Sequence, residues 1–147
     1  RAHARCILER MRTSSYPRLV RRRSTLHGWG VFALDPITKN TRIVQYAGEK
    51  IPAGGSKTRE AAQLRRGHIW CFSVNRRWVR DAEVGGNIAK YINHACRPNC
   101  YSQVLGDVIW IRAGRNIRKG EELSYNYYTN GSAGIPCNCV PGCKNTL

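Results

Sequence analysis

The sequence predicts one mixed α+β domain made mostly of short β-strands, and three observations predict it. A length of 147 residues suits one hydrophobic core. Apolar and β-branched runs are short and are punctuated by Gly, Pro, Asn and Asp turn signals. Only residues 56–66 combine helix-forming residues with a modest apolar face, Ala61, Ala62 and Leu64, which predicts one short surface helix without chemistry of its own.

In chain order, Leu19-Val20 begins a strand amid arginines. His27-Gly28-Trp29-Gly30-Val31-Phe32 follows; taken alone it reads as a plain turn, although two glycines around an aromatic also permit close backbone approach to a ligand. Residues 42–51 read as a strand around Ile43-Val44 and then a bend through Tyr46-Ala47-Gly48-Glu49, and residues 52–56 break the pattern. Residues 69–74 and 78–80 are strand-like on either side of an Asn75-Arg76-Arg77 turn. Residues 101–105 and 108–113 form a second hairpin around Gly106-Asp107. Lys119-Gly120 turns the chain into a short aromatic-ended strand at 122–127, and Gly, Ser and Pro dominate after residue 130 until a cysteine cluster begins. There is no internal repeat and no hinge long enough for a second core.

Charge narrows the function classes. Lysine and arginine number 25 against nine acidic residues, a net charge of +16, which favours polyanionic partners such as nucleic acid or an acidic protein face over plain solubility. Residues 1–23 carry eight arginines against Glu9 alone, a basic arm that reads first as a solvated charge run and second as a contact to phosphate backbones. No apolar run approaches the roughly 20 residues of a membrane span, and the start lacks the apolar centre of a signal peptide. Arg1 in place of an initiator methionine points to a fragment or a processed chain.

Seven cysteines fit a fully paired secreted framework poorly, so an intracellular, reducing setting is expected. Cys137-x-Cys139-x-x-x-Cys143 crowds three thiols into tight turns, as tetrahedral zinc requires. The spacing leaves the fourth ligand open between Cys96 and Cys100. Cys6 and Cys71 read as free thiols.

Residues 87–100 mix apolar residues, amides, a histidine and two cysteines without a helical or strand period, the mark of a site. Within them, Asn93-His94-Ala95-Cys96-Arg97-Pro98-Asn99 resembles the Asn-His-x-Cys-x-Pro-Asn motif of SET-domain protein lysine methyltransferases. Gly28-Trp29-Gly30, Tyr46-Ala47-Gly48-Glu49, the 93–99 run, the 120–127 run and the terminal cysteines follow that family's order, from about residue 20 to the end. The tail spacing, with three residues before the last cysteine, is similar to small standalone bacterial members.

The resemblance implies a basic arm at 1–18, a SET domain at 19–130 with a pseudoknot, and a post-SET zinc segment at 131–147. It implies S-adenosylmethionine as cofactor, approached by Gly28, Trp29 and Gly30, fixed by Asn93 and His94, with Lys90 and Tyr91 beside it. Trp70 falls where a cofactor-contacting tyrosine is common. Tyr127 matches the tyrosine central to catalysis, and Tyr46 matches a second tyrosine lining the lysine channel. Tyr125 matches the position that limits methyl number, which implies mono- or dimethyl products. Asn126 replaces a more usual aspartate. Cys96, Cys137, Cys139 and Cys143 match the zinc ligands, so the family pattern prefers Cys96 to Cys100.

Such a site suits methyl transfer. In-line displacement needs a neutral amine, whereas free lysine titrates near 10.4. Aromatic walls desolvate the ammonium, lower its pKa and tolerate cations at their faces. The expected activity is methylation of a lysine on a histone or another basic or chromatin-associated protein. That activity implies chromatin in a eukaryote or the cytoplasm in a bacterium, a monomeric enzyme, and contact with DNA or nucleosomes through the basic surface. The competing reading is a catalytically weak SET-fold module that binds nucleic acid or an acidic partner.

Overall fold

The computed structural model describes residues 16–129 and 131–147. The expected arm at 1–18 therefore lies almost wholly outside the described residues, as does Cys6. Strand β1 (Leu19–Arg23) pairs antiparallel with β2 (Trp29–Ala33), so the plain turn expected at 27–32 is confined to the residues before Trp29. Gly28 makes that turn possible, with φ +46 in the left-handed region that side chains avoid.

Two three-stranded sheets carry most of the remaining strands. In one, β3 (Arg42–Gln45) and β8 (Cys100–Leu105) flank β9 (Val108–Ala113). Strand β9 shows why its sequence forms a strand: Ile109, Ile111 and Ala113 alternate inward with no exposure, while Val108, Trp110 and Arg112 face the other side. Each buried isoleucine contributes about 1.5–3 kcal/mol. The β8–β9 hairpin closes in register from Leu105↔Val108, with Gly106 at φ +59 supplying the turn.

In the other sheet, β4 (Glu49–Pro52) and β5 (Cys71–Ser73) flank β6 (Trp78–Asp81). The expected strand and bend are found as β3 and the non-strand residues 46–48, but β4 follows at once, because residues 49–52 find a paired edge on β6 that no local signal announces. The Asn75 side chain accepts hydrogen bonds from the backbone of Arg77 and Trp78, as the expected turn requires.

Helix α1 (Ala53–Arg65) starts earlier than the expected residue 56, running through Gly54 and Gly55, and it docks by polar rather than apolar contacts. Ala61 is exposed, and the buried positions are Ser56 and Gln63. Gln63 donates to Asp81 at 2.8 Å and accepts from the Trp70 backbone at 3.1 Å. Arg59 reaches the same carboxylate at 3.0 Å, so the helix is fixed to β6 through a buried acid.

After a 3-10 turn (Ile88–Tyr91), β7 (Asn93–His94) pairs in parallel with β10 (Ser124–Tyr125). The strand expected over 122–127 is thus two residues long, and residues 126–129 leave it as loop. The core formed by Val31, Ile43, Ile92, Ile109, Ile111, Ile117 and Leu123 lies beneath these short elements and reaches the buried Tyr46 and Tyr125. No described helix is long and apolar enough to cross a membrane.

Candidate active site and cysteine cluster

The β7–β10 pairing lays two chemically rich segments side by side, with Ser124 opposite Asn93 and Tyr125 opposite His94. Tyr127 then turns back across the pair. Its backbone N–H donates to His94 Nδ1 at 3.1 Å, and its hydroxyl donates to the Ile92 carbonyl at 2.5 Å.

Two cavities meet at this point. The first, about 370 Å³, is lined by seven of the expected cofactor residues: Gly28, Trp29, Trp70, Lys90, Tyr91, Asn93 and His94. Gly30 does not line it. A Cβ at Gly30 would meet the Glu122 carboxylate, so the missing side chain leaves room for that group. The tail contributes Ile135, Pro136, Cys137, Asn138 and Leu147 to the opposite wall.

The Asn93 and His94 side chains are largely engaged by the protein itself. Asn93 Nδ2 lies 2.8 Å from the Trp29 carbonyl and 3.0 Å from Glu122 Oε1, while Ser24 Oγ donates to the same carboxylate at 2.7 Å. His94 accepts from Tyr127 through one ring nitrogen and sits 3.6 Å from Cys96 Sγ through the other, and burial lowers its pKa. Asn93 and His94 line the first cavity together with the tail.

The second cavity, about 600 Å³, is lined by Tyr46, Tyr125 and Tyr127, with Cys71, Phe72 and Tyr128 beside them. Tyr125 lies 4.8 Å from Tyr127 between ring centroids and 5.9 Å from Phe72, and Tyr46 lies 5.1 Å from Phe72. Tyr46 donates to the Trp70 carbonyl at 2.8 Å. Burial is the leading cause that raises the pKa of all three tyrosines, so their hydroxyls stay protonated at neutral pH. The arrangement sets three aromatic side chains with neutral hydroxyls along one side of a cavity whose lining also includes Glu60, Gln63 and Ser102. It can hold a cation at ring faces while disfavouring its hydrated form.

Tyr127, His68 and Ile69 line both cavities. His68, Phe72 and Tyr128 escaped sequence reasoning. Phe72 sits in a strand-like run, where an aromatic reads as core. Tyr128 is 80% exposed and holds φ +53, a conformation no local pattern signals. His68 follows the Arg66-Gly67 turn after α1 and has no motif around it.

The two departures from the family pattern have local accounts. Trp70 carries the His68 ring stacked at 3.7 Å and has Lys90 Nζ 4.5 Å from its ring centre. Asn126 Oδ1 accepts from the Tyr128 backbone at 2.8 Å, a bond an amide makes as well as a carboxylate.

The Sγ atoms of Cys96, Cys137, Cys139 and Cys143 all lie within 4.8 Å of one another. Cys96 is 3.7 Å from Cys137 and 3.9 Å from Cys143, against about 3.8 Å for the edge of a tetrahedron with zinc–sulfur bonds of about 2.3 Å. Among these thiols, hydrogen bonding from the Cys96 backbone lowers Cys139 to about 7, whereas burial raises Cys137 to about 12. Cys100 stands apart, donating to Asn99 Oδ1 at 3.4 Å, with burial lifting its thiol to about 12. Geometry therefore places Cys96, and not Cys100, in the thiol cluster.

Comparison with known proteins gives one answer. Residues 28–128 match the family model described as SET domain. A "Histone-lysine N-methyltransferase, H3 lysine-4 specific" of Yarrowia lipolytica is 38% identical over 135 residues, covering 85% of this chain and 12% of that protein. "Histone-lysine N-methyltransferase ATXR7" of Arabidopsis thaliana is 39% identical over 123 residues, covering 79% of this chain and 9% of that protein. Among solved structures, a humanized mutant of the Chaetomium thermophilum Polycomb Repressive Complex 2 bound to the inhibitor GSK126 aligns with TM-score 0.69 and 31% identity, over 78% of this chain and 15% of that one. The chain thus spans about an eighth or less of the length of these curated relatives.

Proposed function

Since the chain belongs to the SET-domain family, we propose that it is the catalytic part of a protein lysine N-methyltransferase that uses S-adenosylmethionine and acts at chromatin on a histone lysine. The observation that carries the reading is that two cavities share Tyr127 in their walls, one holding Arg66 and Lys90 without an Asp or Glu side chain, the other lined by three tyrosines. A cofactor in the first and a lysine in the second would approach each other there, as in-line transfer demands.

The first cavity fits the cofactor on its own evidence. Its volume is within the range of small-molecule sites, its wall holds Arg66 and Lys90 without an Asp or Glu side chain, and it contains a buried ring nitrogen without a partner, His68 Nε2. When bound, S-adenosylmethionine supplies an activated methyl on a sulfonium. The chain's residues do the rest. Tyr46, Tyr125, Tyr127 and Phe72 exclude water from the amine and so favour its neutral form. Tyr127, tied at backbone and hydroxyl, is held in the wall that both cavities share. Tyr125 limits the room for methyl groups, which supports mono- or dimethylation.

The cysteine cluster fits zinc by donor set and edge lengths. Bound zinc would crosslink the tail to residue 96 and hold Ile135, Pro136 and Leu147 against the first cavity. The net charge of +16 supports an added contact with nucleosomal DNA, which would offset repulsion between a basic enzyme and a basic tail.

The test is transfer of labelled methyl from S-adenosylmethionine to recombinant nucleosomes and free histones, with Tyr127→Phe as control. Label on histone lysine that the substitution abolishes supports the reading. Absence of label on every histone, with and without DNA, overturns it.

A further inference from the structure

Among the described residues, His68 Nε2 is the one buried side-chain nitrogen or oxygen without a hydrogen-bond partner. Burying a polar group in that state costs about 1–3 kcal/mol, and such groups point to a ligand that satisfies them. The ring cannot easily turn away, because it stacks on Trp70 at 3.7 Å and 25°.

The surroundings say what kind of ligand group belongs there. The same Trp70 ring carries Lys90 Nζ 4.5 Å from its centre, and Lys90 makes no ion pair among the described residues. Arg66, the other cation of the first cavity, is committed to Glu83, with one bond at 2.9 Å. With no Asp or Glu side chain in the wall, an uncompensated cation and an unpaired imidazole stand together and ask for an anion. Burial, followed by the Arg66 charge, lowers the His68 pKa, so the ring is neutral and can carry its single proton on Nε2 as a donor.

We infer that His68 is a cofactor-binding residue whose Nε2 donates to the carboxylate of S-adenosylmethionine, beside Lys90. The inference rests on the cofactor reading above and adds to it a residue outside every motif of the sequence. The carboxylate is the cofactor's only anionic group, which is why the assignment is to that end of the molecule.

Calorimetric titration of the full chain with S-adenosylmethionine and with its decarboxylated analogue tests this. His68→Phe keeps the stacked ring and removes the donor; His68→Gln keeps a donor without the ring. His68→Phe is expected to weaken S-adenosylmethionine roughly ten- to a hundredfold while changing affinity for the analogue by less than about threefold. His68→Gln is expected to recover part of the loss. Equal weakening of both ligands, or no weakening of either, overturns the inference and makes His68 a packing residue. Failure of the unaltered chain to bind either ligand overturns the cofactor reading itself, and this inference with it.

Discussion

The Tyr127 hydroxyl donates to the Ile92 carbonyl at 2.5 Å, tying the loop after β10 to the residue before β7. Together with the Tyr127 N–H bond to His94, it makes a two-point clamp across segments 33–35 residues apart in sequence. The clamp sets the tyrosine where both cavities end, so the residue is positioned by the Asn-His segment rather than by its own loop.

Tyr127→Phe keeps the ring and removes that hydroxyl. Turnover is expected to fall about 10²–10³-fold, the usual loss of one oriented donor at a reacting centre, with affinity for S-adenosylmethionine within about threefold. Steady-state rates alongside equilibrium titration check it; parallel loss of rate and affinity would assign Tyr127 to cofactor binding instead.

Zinc content separates the thiols. The chain is expected to hold one zinc, and Cys139→Ala to abolish it, whereas Cys100→Ser leaves it intact because Cys100 faces Asn99. Chelation should also raise hydrogen exchange through Cys137 to Leu147, whose backbone is otherwise held by few bonds, such as Cys137 N–H to the Asn145 carbonyl. Metal analysis and exchange mass spectrometry read the two effects separately.

Glycines offer opposite expectations. Gly54 and Gly55 lie in α1 with open space where a Cβ would sit, so Gly54→Ala and Gly55→Ala should each stabilise by about 0.5–1 kcal/mol. A Cβ at Gly48 would stand 2.7 Å from the Asp81 backbone, and Gly48→Ala should destabilise by about 1–3 kcal/mol. Urea midpoints with unchanged slopes decide both.

Alkaline stability follows from the buried tyrosines. Tyr46, Tyr125 and Tyr127 have folded pKa values above the ordinary 10.0, so the unfolded chain loses these protons first as pH rises. Their contribution is full below about pH 10 and is lost as pH climbs toward the folded values. Denaturant unfolding at pH 8, 10 and 11 should show stability falling across that range, with a shallower fall in Tyr125→Phe. A slope unchanged by that substitution would assign the alkaline loss to other groups.

Much of the fold was legible because its signals are local. The β8–β9 hairpin is written in period-two burial and a Gly-Asp turn, and the 93–99 and 120–127 runs carry the family likeness in contiguous residues. The crowding of Cys137, Cys139 and Cys143 marked the thiol cluster by spacing alone. What the sequence could not contain is whatever depends on contacts between distant segments. Strand β4 exists because β6 offers it an edge, and α1 docks through Gln63 because Asp81 is buried opposite. Cys96 rather than Cys100 joins the thiol cluster because neighbouring turns carry the two side chains to different places. Gly30 turned out to make room for Glu122, and His68, with no motif around it, lies where two cavities meet. Composition, periodicity and motif order determined the class of fold and chemistry; only long-range packing decided which side chains share a wall, since that depends on the folded path and not on spacing along the chain.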